Sequence, residues 1–390
     1  MPARRRLFFA ASAGMFVFGL SLAILGALFG VPQMRERMHA DLAQQGDILL
    51  ILYLGVLVST IVVGPVIDSF GNKIVLTLSA ALVLAGFLAL AGAASFAEAS
   101  VAALVLGFGG GGLNTASNAL VADLYPENRA AMLNLVAVFF GFGALLAPLI
   151  AVIVVRQLAM IAAALAAMCT IFYLVLPFPP PRERERFSIF ASIKAAKYPG
   201  AMLFAFLLFC ESGNEAAIGG WTSTYVGSIG AAPRVATLIL AAYWAGLMIG
   251  RILGGTVFAR LGKERLVLAS GIGSAIGTAV LVATPSIPVM GVGALIVGLS
   301  FAAIYPTTLA IAADRYQRLA GTIFGLLFAV GLIGGMIFPW AAGEISQHLG
   351  VRPAMLLPLA GAVAIMMLIV AITRRIAADR RAYPSRSSAL

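Results

Sequence analysis

Glu211 and Glu215 lie four residues apart inside an almost uncharged stretch, 201–226. On a helix that spacing places both carboxylates on one face. Two neighbouring acids in a low-dielectric surrounding cannot both ionise cheaply, so at least one is expected to hold a proton part of the time, as a proton carrier must. Arg251 is the third ionisable group inside an apolar stretch. A charge at such depth usually faces a cavity or a partner and marks a functional path. Arg251 could neutralise one of the acids, pair at a gate, or hold two helices together as a fixed ion pair.

Asn114 and Asn118 are again four apart. Amides offer donors and acceptors without charge, which suits a hydroxyl-rich ligand and equally suits bonding between helices in lipid. Trp244, Trp340, Tyr243 and Tyr305 offer flat faces that can stack on the C–H side of a sugar ring. Trp221 can do the same, although its place near the end of a run also fits an interfacial belt. The glycine run 109–112 lacks the Lys-Ser/Thr that a phosphate loop needs, and reads instead as close helix packing. Cys169 and Cys210 sit singly in apolar runs, and His39 and His348 fall outside them, so no disulfide, metal or cofactor site is expected. An intramembrane hydrolase would need a nucleophile–base pair or a metal cluster, so an enzyme is not expected either.

The elements that carry these residues follow from composition. The 390 residues are 62% hydrophobic and 11% charged, whereas a soluble domain carries about 25% charged residues. A soluble enzyme, a disordered chain and a nucleic-acid binder are thereby excluded. Crossing a hydrocarbon core of roughly 30 Å takes about 20 apolar residues in helix, and twelve such runs emerge: 7–30, 48–67, 74–94, 100–121, 132–155, 160–176, 201–226, 237–258, 266–283, 289–312, 321–342 and 354–373. The first follows Arg4-Arg5-Arg6 but exceeds a signal-peptide core and ends without a small-x-small cleavage site, so it is expected to be retained. Lys and Arg number 26. Five of them, Arg35, Arg37, Arg156, Arg234 and Arg352, fall in the connections on one side, Arg251 lies within a run, and the remaining twenty fall on the other side with both termini. Cytoplasmic loops keep that excess, so both termini are expected inside and the net charge of +11 reports topology. The partner this implies is a lipid bilayer.

The longest polar connection, 178–199, separates the sixth run from the seventh and carries Arg182-Glu183-Arg184-Glu185-Arg186. Residues 1–177 and 200–390 are thus expected to form two six-helix halves. At an offset of 191, Gly55 falls on Gly246, Gly64 on Gly255, Gly71 on Gly262, Gly107 on Gly298, Asp123 on Asp314, Tyr125 on Tyr316, Gly143 on Gly334 and Pro148 on Pro339. Such a register indicates a duplicated six-helix unit. Two parallel halves about an axis along the membrane normal bind a solute between them and alternate access.

Between the second and third runs, Gly64-Pro65-Val66-Ile67-Asp68-Ser69-Phe70-Gly71-Asn72-Lys73 resembles the major facilitator signature G-x-x-x-D-R/K-x-G-R-R/K, departing from it at Ser69 and Asn72. The second copy keeps Gly255, Arg260, Gly262 and Lys263 but has Ala259 in place of the acid. The resemblance implies a gate on the terminus-bearing side, made of Gly64, Asp68, Gly71 and Lys73 with the bases Arg129 and Arg260. The stretch Gly213-Asn214-Glu215 to Trp221, then Tyr243-Trp244-Ala245-Gly246-Leu247 with Gly250-Arg251, looks like the fucose and glucose symporter branch of that superfamily. So do Leu113 to Asn118, Asp123-Leu124-Tyr125-Pro126, Phe139 to Ala144 and Ile304-Tyr305-Pro306-Thr307. This implies a monomeric secondary transporter in a bacterial inner membrane. It would move a monosaccharide or similar polyol at Asn114, Asn118, Asn214, Glu215, Trp244, Tyr305 and Trp340, with Glu211, Glu215 and Arg251 serving the coupling ion. The first run carries no carboxylate, which proton-coupled sugar members often have there, so the ion is a proton or sodium. Export of amphipathic drugs or metabolites by the same fold is the alternative.

Overall fold

The computed structural model describes residues 3–179, 197–254, 261–316 and 320–382. In hydrocarbon every backbone N–H and C=O must be satisfied within its own segment, and apolar runs of this length do so by becoming helices. They are α1 (Ala3–Phe29), α2 (Pro32–Arg37), α3 (Leu42–Gly92), α4 (Phe96–Leu124), α5 (Arg129–Val154), α6 (Leu158–Val175), α7 (Pro199–Ser228), α8 (Pro233–Gly254), α9 (Lys263–Ala283), α10 (Ile287–Arg315), α11 (Ala320–Leu349), α12 (Val351–Ala354) and α13 (Leu356–Ala382). Ten helical stretches are long and apolar enough to cross a membrane. Two of these are double length, Leu42–Gly92 at 51 residues and Ala131–Val175 at 45. The first is broken at Gly71 and the second at the turn Val155–Gln157. The described residues therefore supply twelve spans.

The ends differ from expectation where polar residues can be held. The second span begins at Leu42 rather than 48. Asp41 caps it reciprocally with Gln44, the Gln44 N–H donating to Asp41 Oδ1 at 2.8 Å and the Asp41 N–H to Gln44 Oε1 at 3.1 Å. The last span begins at Leu356, after the single turn α12. The eighth is described to Gly254, and residues 255–260, Arg260 among them, lie outside the described residues, as does most of the 178–199 linker.

In the first half α1 packs on α4 and α5, and α3 on α4 and α6. In the second, α7 packs on α11 and α13, α8 on α10, and α9 on α10 and α13. The repeat is visible in atomic contacts. A Cβ added to Gly107 would lie 1.9 Å from the Leu52 carbonyl oxygen, and one added to Gly298 would lie 2.0 Å from that of Tyr243. Their opposing glycines, Gly55 and Gly246, meet the Leu104 and Leu295 carbonyls at 2.5 and 2.4 Å. All four contacts are related by the same 191-residue offset. The signature turns repeat as well: Gly71 has φ 80° and Gly262 φ 78°, a conformation that glycine adopts without strain.

Replacing Gly107 by Ala drives a methyl group into the Leu52 carbonyl, so the protein should lose about 1–3 kcal/mol of stability. Gly64→Ala, with nothing among the described residues within 4 Å of the added carbon, should leave stability unchanged or raise it by up to about 1 kcal/mol through helix propensity. Thermal unfolding of the two variants in detergent checks the contrast.

Candidate functional site

The two halves meet through α1 and α7, α3 and α11, and α5 and α8. At the end of the bundle far from the chain termini the contact is a seal of backbone and small polar groups. A Cβ on Gly26 would meet the Gly219 carbonyl oxygen at 2.0 Å, and Gly46 and Gly343 face each other so closely that a Cβ on either would lie about 3 Å from the other's Cα. The Ser223 hydroxyl donates to the Gly26 carbonyl. Gln45 Nε2 donates to Thr224 Oγ1 at 3.0 Å, and the Leu42 N–H donates to Gln347 Oε1 at 3.2 Å. Toward the terminus-bearing end the last hydrogen bond across the halves, among the described residues, is from Arg251 Nη1 to the Ala137 carbonyl at 3.1 Å.

Beneath the seal, near the middle of the 30-residue α7, lie Glu211 and Glu215. Glu211 is 1% exposed. Its Oε2 accepts from the Ser212 hydroxyl at 3.2 Å, while its Oε1 has no hydrogen-bond partner among the described residues. Glu215, one turn on, is half-buried. Arg251 acts electrostatically on both carboxylates. It is not the fixed ion pair that sequence allowed, because among the described residues no carboxylate lies within 4 Å of it. Instead its guanidinium crosses to the other half, bonding Ala137 and lying 5.0 Å over the Phe140 ring. Tyr53, Tyr243 and Tyr305 are within electrostatic reach of both acids.

The aromatic wall continues through Trp244. Its ring lies 4.9 Å from Tyr243 and 6.1 Å from Phe140 of the first half, and a Cβ on Gly219 would touch it at 2.9 Å. Tyr305 stacks on Phe328 at 6.2 Å and 12°. Tyr243 Oη and Trp244 Nε1 are buried without a hydrogen-bond partner among the described residues. Buried polar atoms are rarely left so. Glu211 Oε1 shares that condition, so an acceptor on α7 and two donors on the adjacent α8 are left without partners among the described residues.

Sequence reasoning missed Tyr53, which enters from α3, where a tyrosine in an apolar run carries no signal of its own. Two expected residues stand elsewhere. Asn214 is fully buried, one helical step round from Glu215, and presses against α13, where a Cβ on Gly361 would lie 2.2 Å from its Oδ1. Trp340 is 38% exposed, because the face of α11 turned to its partners carries Gly335, Pro339 and Gly343. Trp221 is no belt residue: it is completely buried and donates to the Pro339 carbonyl at 3.1 Å. Asn114 and Asn118 form a separate patch on α4, where Asn118 Nδ2 donates to Asn114 Oδ1 at 2.8 Å beside Met15 of α1.

Of the expected gate, Gly64 and Gly71 stand at the end and turn of the second span. Asp68 is half-buried, Arg129 is exposed, and neither they nor Lys73 make an ion pair among the described residues. Among the described residues the ion pairs at this end run within each half. Lys263 meets Asp314 of α10 at 2.6 Å, and Arg4 meets Glu127 at 3.3 Å. Both pairs are exposed, a setting where each contributes about 0.2–1 kcal/mol.

A profile of the Major Facilitator Superfamily matches residues 11–230 and again 204–388. The chain belongs to the Major Facilitator Superfamily. A glucose/galactose transporter of Brucella abortus is 23% identical over 272 residues, 63% of this chain and 65% of that protein. The match thus spans slightly less than two thirds of the relative's length. Among solved structures, the Escherichia coli fucose:proton symporter (N162A variant) superposes with a TM-score of 0.66 at 18% identity, covering 94% of this chain and 98% of that one. A bacterial homologue of the human lysosomal transporter Spinster, inward-facing and unoccupied, superposes with a TM-score of 0.79 at 15% identity, covering 96% and 98%. As in the superfamily at large, the chain is built of two pseudo-symmetric six-helix halves of membrane-spanning helices.

The seal depends on contacts that leave no room for a side chain. In a Cys169→Ala, Cys210→Ala background with Tyr53→Cys as reporter, Gly26→Val should raise labelling by a membrane-impermeant maleimide applied from the sealed side. An unchanged labelling rate would contradict the seal described here.

Proposed function

We propose that this transporter moves a small polar solute, most concretely a monosaccharide, by alternating access, with proton coupling at the Glu211–Glu215 pair. The observation that carries the reading is the position of this pair: two acids near the middle of α7, within electrostatic reach of three tyrosines and of one arginine bonded to the opposite half. An ionised acid at this depth is costly, so the pair releases a proton readily only when water or Arg251 faces it. Arg251 is the natural link to the halves. When the acids are protonated it stays on the Ala137 carbonyl; when one ionises it is drawn toward α7 and that bridge loosens. A sugar hydroxyl bonded to Glu211 Oε1, Tyr243 and Trp244 would satisfy the orphaned groups and hold the ring against the aromatic wall.

The Brucella relative named for glucose and galactose supports the cargo, and the fucose:proton symporter supports the coupling by its fold alone. In this reading residues 1–177 and 200–390 rock as two units joined by 178–199, Asp68, Lys73, Arg129 and Arg260 close the terminus-bearing side in the opposite state, and Asn114 and Asn118 meet the solute from the first half. The protein works as a monomer in a bacterial inner membrane, with both termini cytoplasmic as the distribution of Lys and Arg indicates.

Counterflow of labelled hexoses into proteoliposomes tests this. Glu215→Gln should keep exchange but reduce proton-driven uptake about tenfold or more, the equivalent of ~1.4 kcal/mol. If no hexose exchanges while lipophilic cations do, the carboxylates serve an exporter of amphipathic compounds and the sugar reading fails.

A further inference from the structure

Three helix ends of the second half frame a slot of about 190 Å³ at the terminus-bearing end: the first turns of α7, the last turn of α10 and the final third of α13. It has room for about six waters at roughly 30 Å³ each, and it draws on none of the residues around Glu211 and Glu215. Its floor is apolar, with Phe204 and Ile372 each 2% exposed. Its rim is basic, with Arg315 and Arg375 both exposed and no carboxylate lining it among the described residues. Arg375 has no ion-pair partner among the described residues. Gly200 keeps the slot open: a Cβ there would come within 2.5 Å of Tyr316 Oη and 3.8 Å of Arg375 Nε, so a larger side chain would fill the space between them.

We propose that this slot binds one anionic phospholipid. A pocket half basic and half apolar, set where membrane-spanning helices reach water, matches a molecule of the same build. The phosphate would sit at the Arg375 and Arg315 guanidiniums, whose planar donors fit phosphate oxygens in pairs. The first turn of α7 adds the positive end of a helix dipole. An acyl chain would run over Phe204 and Ile372. Basic pockets between spans on the side rich in Lys and Arg hold anionic headgroups in this way.

Thermal unfolding and native mass spectrometry of the full chain in detergent test the site, with phosphatidylglycerol, phosphatidylcholine and inorganic phosphate as separate probes. Phosphatidylglycerol should raise the unfolding temperature and remain bound in the spectrometer, while the other two should do neither. Arg315 has a further partner of its own, so the charge variant is Arg375→Gln alone, expected to weaken phosphatidylglycerol binding about fivefold. Gly200→Val should block binding without changing charge; should it fail to fold, Arg375→Gln decides. Equal stabilisation by phosphatidylcholine, a full effect from inorganic phosphate alone, or undiminished binding by Arg375→Gln would each overturn the proposal.

Discussion

Helices in hydrocarbon come close only where one of them lacks a side chain. That constraint sets the architecture of this protein. Backbone hydrogen bonds are spent within each helix, and lipid gives apolar side chains no strong reason to prefer one another, so close packing becomes the main source of association. Gly55 and Gly107 bring the second span against the fourth, and Gly246 and Gly298 do the same for the eighth and tenth, at the same carbonyl-to-glycine contacts. With the helices locked in pairs, each half is a stiff body, and the seal at Gly26, Gly46, Gly219 and Gly343 is where one body touches the other.

Stiff halves leave the middle to larger and more polar side chains. Glu211 is almost wholly enclosed, yet one of its oxygens is unpartnered among the described residues, and the neighbouring Tyr243 and Trp244 share that condition. An enclosed acid of this kind works against stability unless something else needs it. Arg251 acts on both acids while bonding the other half at Ala137. On the function proposed here, a change of charge at the acids would be felt at an inter-half contact, as coupling of solute movement to an ion requires.

Much of the fold was legible because a membrane reduces the problem to one dimension. Twelve apolar runs, an excess of Lys and Arg on one side and an offset of 191 residues each survive in a bare sequence, and the helices fall on the runs to within a few residues at most ends. What a sequence does not carry is the rotational phase of a helix. Asn214 adjoins Glu215 in the chain and Trp340 adjoins Pro339, yet each is turned about 100° away from its neighbour, toward α13 in the first case and outward in the second. Tyr53 was invisible for a related reason: its neighbours Glu211 and Gly335 are far away in sequence. The Gln45–Thr224 bond of the seal, 179 residues apart, is another such case.

The central claim is that the two halves rock about the Glu211, Glu215 and Arg251 centre. Phe70 and Leu261 occupy equivalent places in the two signature turns at the terminus-bearing end, and both are exposed. Spin labels on cysteines at these two positions, with Cys169 and Cys210 replaced by alanine, report the separation of the halves there. The account predicts that a transported hexose at acidic pH shifts the distance distribution to shorter values, and that Arg251→Gln abolishes the shift. A distribution that stays fixed while the same protein exchanges solute would contradict it.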